Sequence, residues 1–493
     1  MKTEVFKFSF ITLLLLSSLH AEDAIEADLN GFDMQESSET DLDGFGEDLD
    51  GFSTQKSLET SHIPKKKQKQ STYTILGKLS LKANYGYREH RVKANKSDSV
   101  GIEYSGFNQA QISTYLQFDT KLSKTWKIRI SGDSFYDAIY DLNSHNNYNQ
   151  DTLNTYKTQL RLDDTYIQGS ITKDFDAKIG RQIVVWGKSD SIRITDIINP
   201  LDNRLPGLTD IGDLRLSTTM AKFDYYKGDW NFSAMAIVES RIFLEAAPRS
   251  EYFPVDSIFS IAPDPFVTLA KPSNILEDMQ YALAANGVFS GWDLSFYAAN
   301  VLDSKWHIEG TLPNTTRVVS KIKMIGSAFN LVQGSWLYKS EVALINGIKY
   351  NSTSNAKRRL DTLVGLDYMG IKNTTVSLEL ANRHIFDYEE QMSGIATGKV
   401  PDYVQQDEIQ TAIRVTHSMQ NDTLNGTVVL NMFGHNWQYG GFFRASLEYD
   451  VRDALVVNLG VIDYINTSIK SEKPFTNAIS NNDKIYIDVT FSF

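Results

Sequence analysis

Few residues of this 493-residue chain stand in arrangements that could do chemistry. One phrase recurs near the N-terminus: DLNGF at Asp28–Phe32, then two copies within DLDGFGEDLDGF at Asp41–Phe52. Acids around a glycine raise calcium binding. An EF-hand loop, however, needs oxygen ligands at alternating positions, glycine at the sixth and glutamate at the last. Here glycine comes fourth and phenylalanine fifth, so a calcium site is disfavoured. The eight histidines are scattered with none at metal-ligand spacing, and there is no cysteine. That removes disulfides, thiolate metal sites and cysteine nucleophiles. Glycine-rich phosphate loops and nucleophile motifs are absent as well. No enzyme, metal or cofactor is expected. What each repeat does offer is a pair of apolar anchors in an acidic field: Leu29 with Phe32, Leu42 with Phe45, and Leu49 with Phe52. Short docking motifs have that form, and several copies would raise the effective concentration at a periplasmic or inner-membrane transport partner. The alternative is a solubilising tether.

The other charged constellation lies in KIGRQIVVWGKSDSIRITDIINPLDNRLPGLTDIGDLRLS, residues 178–217. After Trp186-Gly187 its alternation stops. The residues that follow set Lys188, Arg193, Arg204 and Arg215 against Asp190, Asp196, Asp202, Asp210 and Asp213. Proline turns at Asn199-Pro200 and Leu205-Pro206-Gly207 keep the segment irregular. Near-balanced charge in so long a connection predicts an insert at 188–215, folded back and salt-bridged inside a barrel, where it sets a pore's width and selectivity. The alternative is an ordered external loop. Constriction candidates are Arg181, Lys188, Asp190, Arg193, Asp196, Asp202 and Arg204. Arg181 shares phase with Ile179, Ile183 and Val185. Facing mid-bilayer would cost an arginine about 2–4 kcal/mol, so a lumen position is expected, with Asp163 or Asp164 as partner.

The elements that must hold these residues repeat every second residue. TWKIRISGD puts Trp126, Ile128 and Ile130 on one face and Lys127, Arg129, Ser131 and Asp133 on the other. VSLELANR and GFFRASLEYDV alternate in the same way, where a helix would need a period of 3.6. Tight turns near 123–125, 173–174, 228–229, 290–291, 334–335, 372–373, 421–422 and 452–453 alternate with nine long connections. Trp126, Trp230, Trp292 and Trp336 each follow a tight turn directly, as an interfacial girdle requires. The reading is an all-β fold: a transmembrane antiparallel β-barrel of about 18 strands, with 16–18 the expected range. KIYIDVTFSF at the C-terminus alternates apolar and polar residues to its last phenylalanine. Phe491 and Phe493 then form the signal for the outer-membrane assembly machinery.

The segment MKTEVFKFSFITLLLLSSLHA reads as a signal peptide over residues 1–21. Its apolar run is too short for a membrane anchor. Residues 22–71 read as a disordered, acidic periplasmic tail, and 72–493 as the outer-membrane barrel. Residues 22–62 hold 13 acids against one base, Lys56, a balance of −12 that equals the net charge of the whole chain. Acidity thus belongs to the tail, and no nucleic-acid-binding surface is indicated. An apolar loop at 247–277 must pack somewhere, either on its own barrel or against a lipid or an apolar permeant. Oligomeric state is left open, a homotrimer included.

RLDDTYIQGS, KIGRQIVVWGKSD and INPLDNR resemble porin-type barrels. Their GRQ-x-x-x-WG and INP-x-D combination is most similar to an uncharacterised family of porin-like outer-membrane proteins, often encoded beside RND-type exporters of lipid-like molecules. The resemblance is sharpest over residues 160–217. It implies an outer-membrane location and a part in moving hydrophobic molecules, and it supplies no catalytic residue. The two functions in view are a channel for small or hydrophobic molecules with 188–215 as its constriction, and an export component that docks an RND-type partner through the acidic tail.

Overall fold

The computed structural model describes residues 73–92, 101–143, 148–247, 250–253, 279–311, 314–393, 402–468, 476 and 478–493. The signal region, the acidic tail with its Leu/Phe anchors, and most of the 247–277 loop lie outside the described residues.

Period-two sequence becomes nine antiparallel hairpins. The first two are β1 (Tyr73–Gly86) with β2 (Gly106–Lys121), and β3 (Trp126–Asp137) with β4 (Thr158–Thr172). Next come β5 (Phe175–Gln182) with β6 (Thr218–Lys227), and β7 (Trp230–Ile237) with β8 (Gln280–Phe289). The middle pairs are β9 (Trp292–Leu302) with β10 (Lys321–Gln333), and β11 (Trp336–Ile348) with β12 (Lys357–Ile371). The last are β13 (Thr374–Ile385) with β14 (Asp407–Met419), β15 (Leu424–Phe433) with β16 (Gly441–Arg452), and β17 (Leu455–Ile465) with β18 (Lys484–Ser492). Together they make one 18-stranded sheet. Strand β1 pairs with β2 on one side and β18 on the other, so the sheet closes and leaves no free edge along the seam. Closure is the condition under which strands can cross a bilayer, because every backbone polar group then has a partner within the sheet. All eight tight turns fall where the alternation breaks, and the four tryptophans named above are each the first residue of a strand.

Facing follows the alternation. Ile75, Leu79, Leu81, Ile130, Leu378, Leu380, Leu447 and Ile487 all point outward and are exposed. A continuous apolar outer surface of this kind belongs in lipid. The turn-side rim carries the aromatics: Trp292 stacks on Phe289 at 4.1 Å, and Trp336 lies against Tyr368 at 4.3 Å. At the seam, Phe493 N–H donates to Gly77 O (2.9 Å) and Gly77 N–H to Phe493 O (2.8 Å). The Phe493 ring occupies the space a Cβ on Gly77 would need, with its nearest atom 2.3 Å from that position. Glycine at 77 is what lets the last residue lie flat on the first strand.

Candidate functional site

Residues 183–217 leave the wall and run through the lumen. The cause is partly apolar. Trp186, Ile192, Ile194 and Ile198 are buried against Met220, Met235, Ala282, Ala299, Met324, Ala343, Leu363 and Ala381 on the lumen side of β6–β13. Small and flexible wall residues leave room for the insert, and each aliphatic side chain so buried contributes about 1.5–3 kcal/mol. Trp186 stacks on Tyr297 with ring centroids 4.7 Å apart. At the elbow, Gly187 has φ +87°, and a Cβ there would sit 2.7 Å from the Glu341 carboxylate oxygens. Glycine is needed for both reasons.

Two wall carboxylates anchor the insert's backbone. Glu341 on β11 accepts from Lys188 N (2.6 Å), Ser189 N (2.8 Å), Thr195 N (3.1 Å) and Thr195 Oγ1 (2.7 Å). Glu379 on β13 accepts from Asp190 N (2.7 Å), Ser191 N (3.0 Å) and Ile192 N (3.0 Å). The loop's unpaired N–H groups are satisfied there, as irregular backbone at membrane depth requires.

The charged candidates divide by place. Lys188 reaches Asp293 on β9 at 3.4 Å, and Asp190 pairs with Lys339 on β11, which also holds Asp367 at 2.7 Å. Arg193 and Arg215 converge on Asp196, at 3.1 and 2.8 Å, inside the insert. Asp202 binds Arg204 at 2.6 Å and Arg161 of β4 at 3.4 Å, while Arg204 also donates to Gln159 Oε1 at 2.8 Å. Burial works against both Asp202 and Asp210, but their arginine neighbours outweigh it and hold both carboxyls below the ordinary value. Asp210 meets Arg414 on β14 at 2.7 Å and Arg444 on β16. Tyr464 on β17 donates to Pro206 O at 2.6 Å. The insert is thus tied to β4, β9, β11, β13, β14, β16 and β17, and so spans the lumen.

What it leaves open is a polar cavity of ≈ 380 Å³ against β1–β4 and β18. Lys78, Lys82, Asp133 and Arg161 line it from the wall, and Asp202, Arg204 and Asp213 from the insert. Of the seven constriction candidates, Asp202 and Arg204 line this cavity. Lys188 and Asp190 serve as wall anchors, and Arg193 and Asp196 as the insert's internal ion pair. Arg181 corrects the expectation of a lumen position. It lies on the outward phase with exposed Ile179, paired with Glu239, and donates to Leu162 O at 3.0 Å instead of meeting Asp163 or Asp164. The backbone keeps its register here, and Glu239, beyond the end of β7, supplies a partner at the wall's upper margin. The described part of the apolar loop packs on its own barrel: Tyr252 is buried against Tyr464, and Glu251 holds Lys484 at 2.7 Å.

Residues 68–493 match the family model described as "Protein of unknown function (DUF1302)". The chain belongs to that family. The DUF1302 match runs over the whole barrel. No curated protein matches the sequence. Among solved structures, OccAB3 of Acinetobacter baumannii is similar at 12% identity, with 85% of this chain and 99% of that chain covered and a TM-score of 0.48. A BenF-like porin from Pseudomonas fluorescens Pf-5 gives 10%, 86%, 97% and 0.49 in the same terms. The outer membrane protein opdK of Pseudomonas aeruginosa gives 12%, 85%, 99% and 0.46.

Proposed function

We propose that this DUF1302 barrel is a passive diffusion channel of an outer membrane, with the 183–217 insert as its constriction. The observation that carries the reading is the insert's course: it is tied wall to wall across the lumen and leaves a cavity lined by charged residues at its side. An 18-stranded barrel is wide enough for an aqueous lumen, and a fixed internal loop narrows it to the size of small solutes. Lysine, arginine and aspartate on facing surfaces of the passage suit small polar or zwitterionic permeants, with selectivity set by Asp202, Arg204 and their neighbours. Purified full-length protein in a planar bilayer should give discrete steps of current; a barrel that inserts and never conducts would refute the channel.

The three acidic repeats favour a second reading, in which Leu29, Phe32, Leu42, Phe45, Leu49 and Phe52 dock a periplasmic or RND-type inner-membrane partner. Deletion of residues 22–62 should then abolish transport while the barrel still assembles. Wild-type behaviour of the tail-less protein in every transport assay removes this reading.

A further inference from the structure

The wall is not of even height. Strand β4 pairs with β3 as far as Tyr136↔Thr158, but its partnership with β5 stops at Thr165↔Arg181. Residues 158–164 of β4 therefore have ladder partners on one side alone. The reason is that the chain after Gln182 turns inward to build the insert: Val184 N–H donates to Asn199 Oδ1 at 2.8 Å. Strand β7 likewise ends at Ile237, where it pairs with Met220 and Gln280. Among the described residues a gap in the sheet follows, bounded by the one-sided edge of β4 and by residues 238–241.

Both surfaces of the wall meet at this gap. Arg181 and Glu239 belong to the outward side, whereas Arg161 binds Asp133 at 2.7 Å and Asp163 at 3.0 Å on the lumen side. Arg241 lies within electrostatic reach of Arg181, Glu239, Arg161 and Asp163 together. In an unbroken sheet those two sets would be screened from one another by the backbone. The gap lies at the long-loop end of β4, away from the tight turn at Thr172–Phe175, so it opens at the upper margin of the apolar belt. Outside the gap, Leu160 (90% exposed), Leu162, Val185 and Val238 form an apolar rim. Glu239 is already committed to Arg181 and to Thr219, whose N–H and Oγ1 it accepts at 2.9 and 2.7 Å. Arg241, by contrast, donates to Ser217 O and has no ion-pair partner among the described residues. A cation with no direct ion pair of its own, set beside an apolar rim, is complementary to a molecule with an anionic head and an alkyl tail.

We propose that the wall is open at this gap, and that an anionic single-chain amphiphile passes there between lumen and bilayer with its headgroup on Arg241. The proposal rests on the reading of the barrel as membrane-spanning, and it adds a lateral route to the axial pore. The test uses full-length protein in nanodiscs, dodecanoate carrying a diazirine close to its carboxylate end, and mass-spectrometric mapping of the cross-links. Labelling should concentrate on residues 158–164 and 238–241. Arg241→Gln should lower it about tenfold, the worth of one charge-assisted hydrogen bond, with Arg241→Lys recovering part of the loss. The matching dodecanol probe should label as weakly as the Gln variant, and heat-modified gel mobility reports that each variant is folded. Labelling spread evenly around the outer belt, confined to the lumen away from the gap, or unchanged in Arg241→Gln overturns the proposal. Bilayer conductance of the same preparation reads the axial pore separately. Current steps with unlocalised labelling therefore sink the lateral route alone.

Discussion

A carboxylate removed from water costs several kcal/mol unless hydrogen bonds compensate it. Glu341 and Glu379, 3% and 1% exposed, are compensated by the insert's N–H groups and the Thr195 hydroxyl. Glu341→Ala orphans three backbone donors at about 1–3 kcal/mol each. The expected outcome is a folded barrel whose single-channel current is larger and flickers; a quiet, wild-type current would show that the apolar contacts alone hold the insert. Gly187→Ala should act in the same direction, through strain at positive φ and pressure on Glu341. The ion pairs of Asp202 and Asp210 add a pH dependence. Their folded pKa values lie below the ordinary value, so their contribution is fully present above it and is lost as pH falls through the lowered value. The part of the current that depends on these two pairs, read as the difference between the wild type and Asp202→Asn or Asp210→Asn, should therefore hold steady from neutral pH down to about 5 and change only below about 4. A difference centred near pH 6 would contradict the assignment. Neither glutamate's role was legible in the sequence, because Glu341 and Glu379 meet residues about 150 and 190 positions away. What could be read was that a glutamate inside an alternating strand must face inward. Arg181 shows the limit of that rule: its phase was plain, but the partner that lets it face outward, Glu239, lies past the end of a strand whose length the sequence does not mark.

Hairpins are elements whose signal is local, and here their tight-turn ends were legible to within a residue or two, while the ends facing the long connections differ by up to nine. Side-chain alternation marks each strand, and Gly, Asn, Asp or Ser marks each tight turn. The insert was legible as a break in that rhythm, and its charges as internal pairs. Its apolar half was not, since Ile192, Ile194 and Ile198 sit among polar residues, and the Ala and Met positions that receive them look like ordinary wall. At the closing seam, the fit of the Phe493 ring over Gly77 makes a specific expectation. Deleting Phe493, or replacing Gly77 with Val, should reduce folded barrel in the outer membrane severalfold, read as heat-modifiable protein in membrane fractions. Undiminished assembly of both variants would separate the C-terminal phenylalanines from the assembly signal.

At the scale of the whole molecule, an even number of strands and a closed seam make a barrel whose outside is apolar and whose inside is divided. Over β6–β13 the insert covers the wall, where alanine, methionine and leucine receive its aliphatic side chains and Glu341 and Glu379 its backbone; β1–β4 and β18 carry charge and face the cavity. That division assigns the flow of solute to the β1–β4 and β18 side. It follows that charge substitutions at Lys78 or Lys82 should alter ion selectivity, read as a shifted reversal potential in a salt gradient, while Lys188→Gln, on the covered side, should not. The most direct test of the account compares single-channel conductance of the full-length protein with that of a variant whose residues 188–215 are replaced by a short Gly-Ser link. If the insert is the constriction, the variant conducts severalfold more and loses its selectivity. Equal conductance in the two proteins would place the barrier elsewhere and contradict the account.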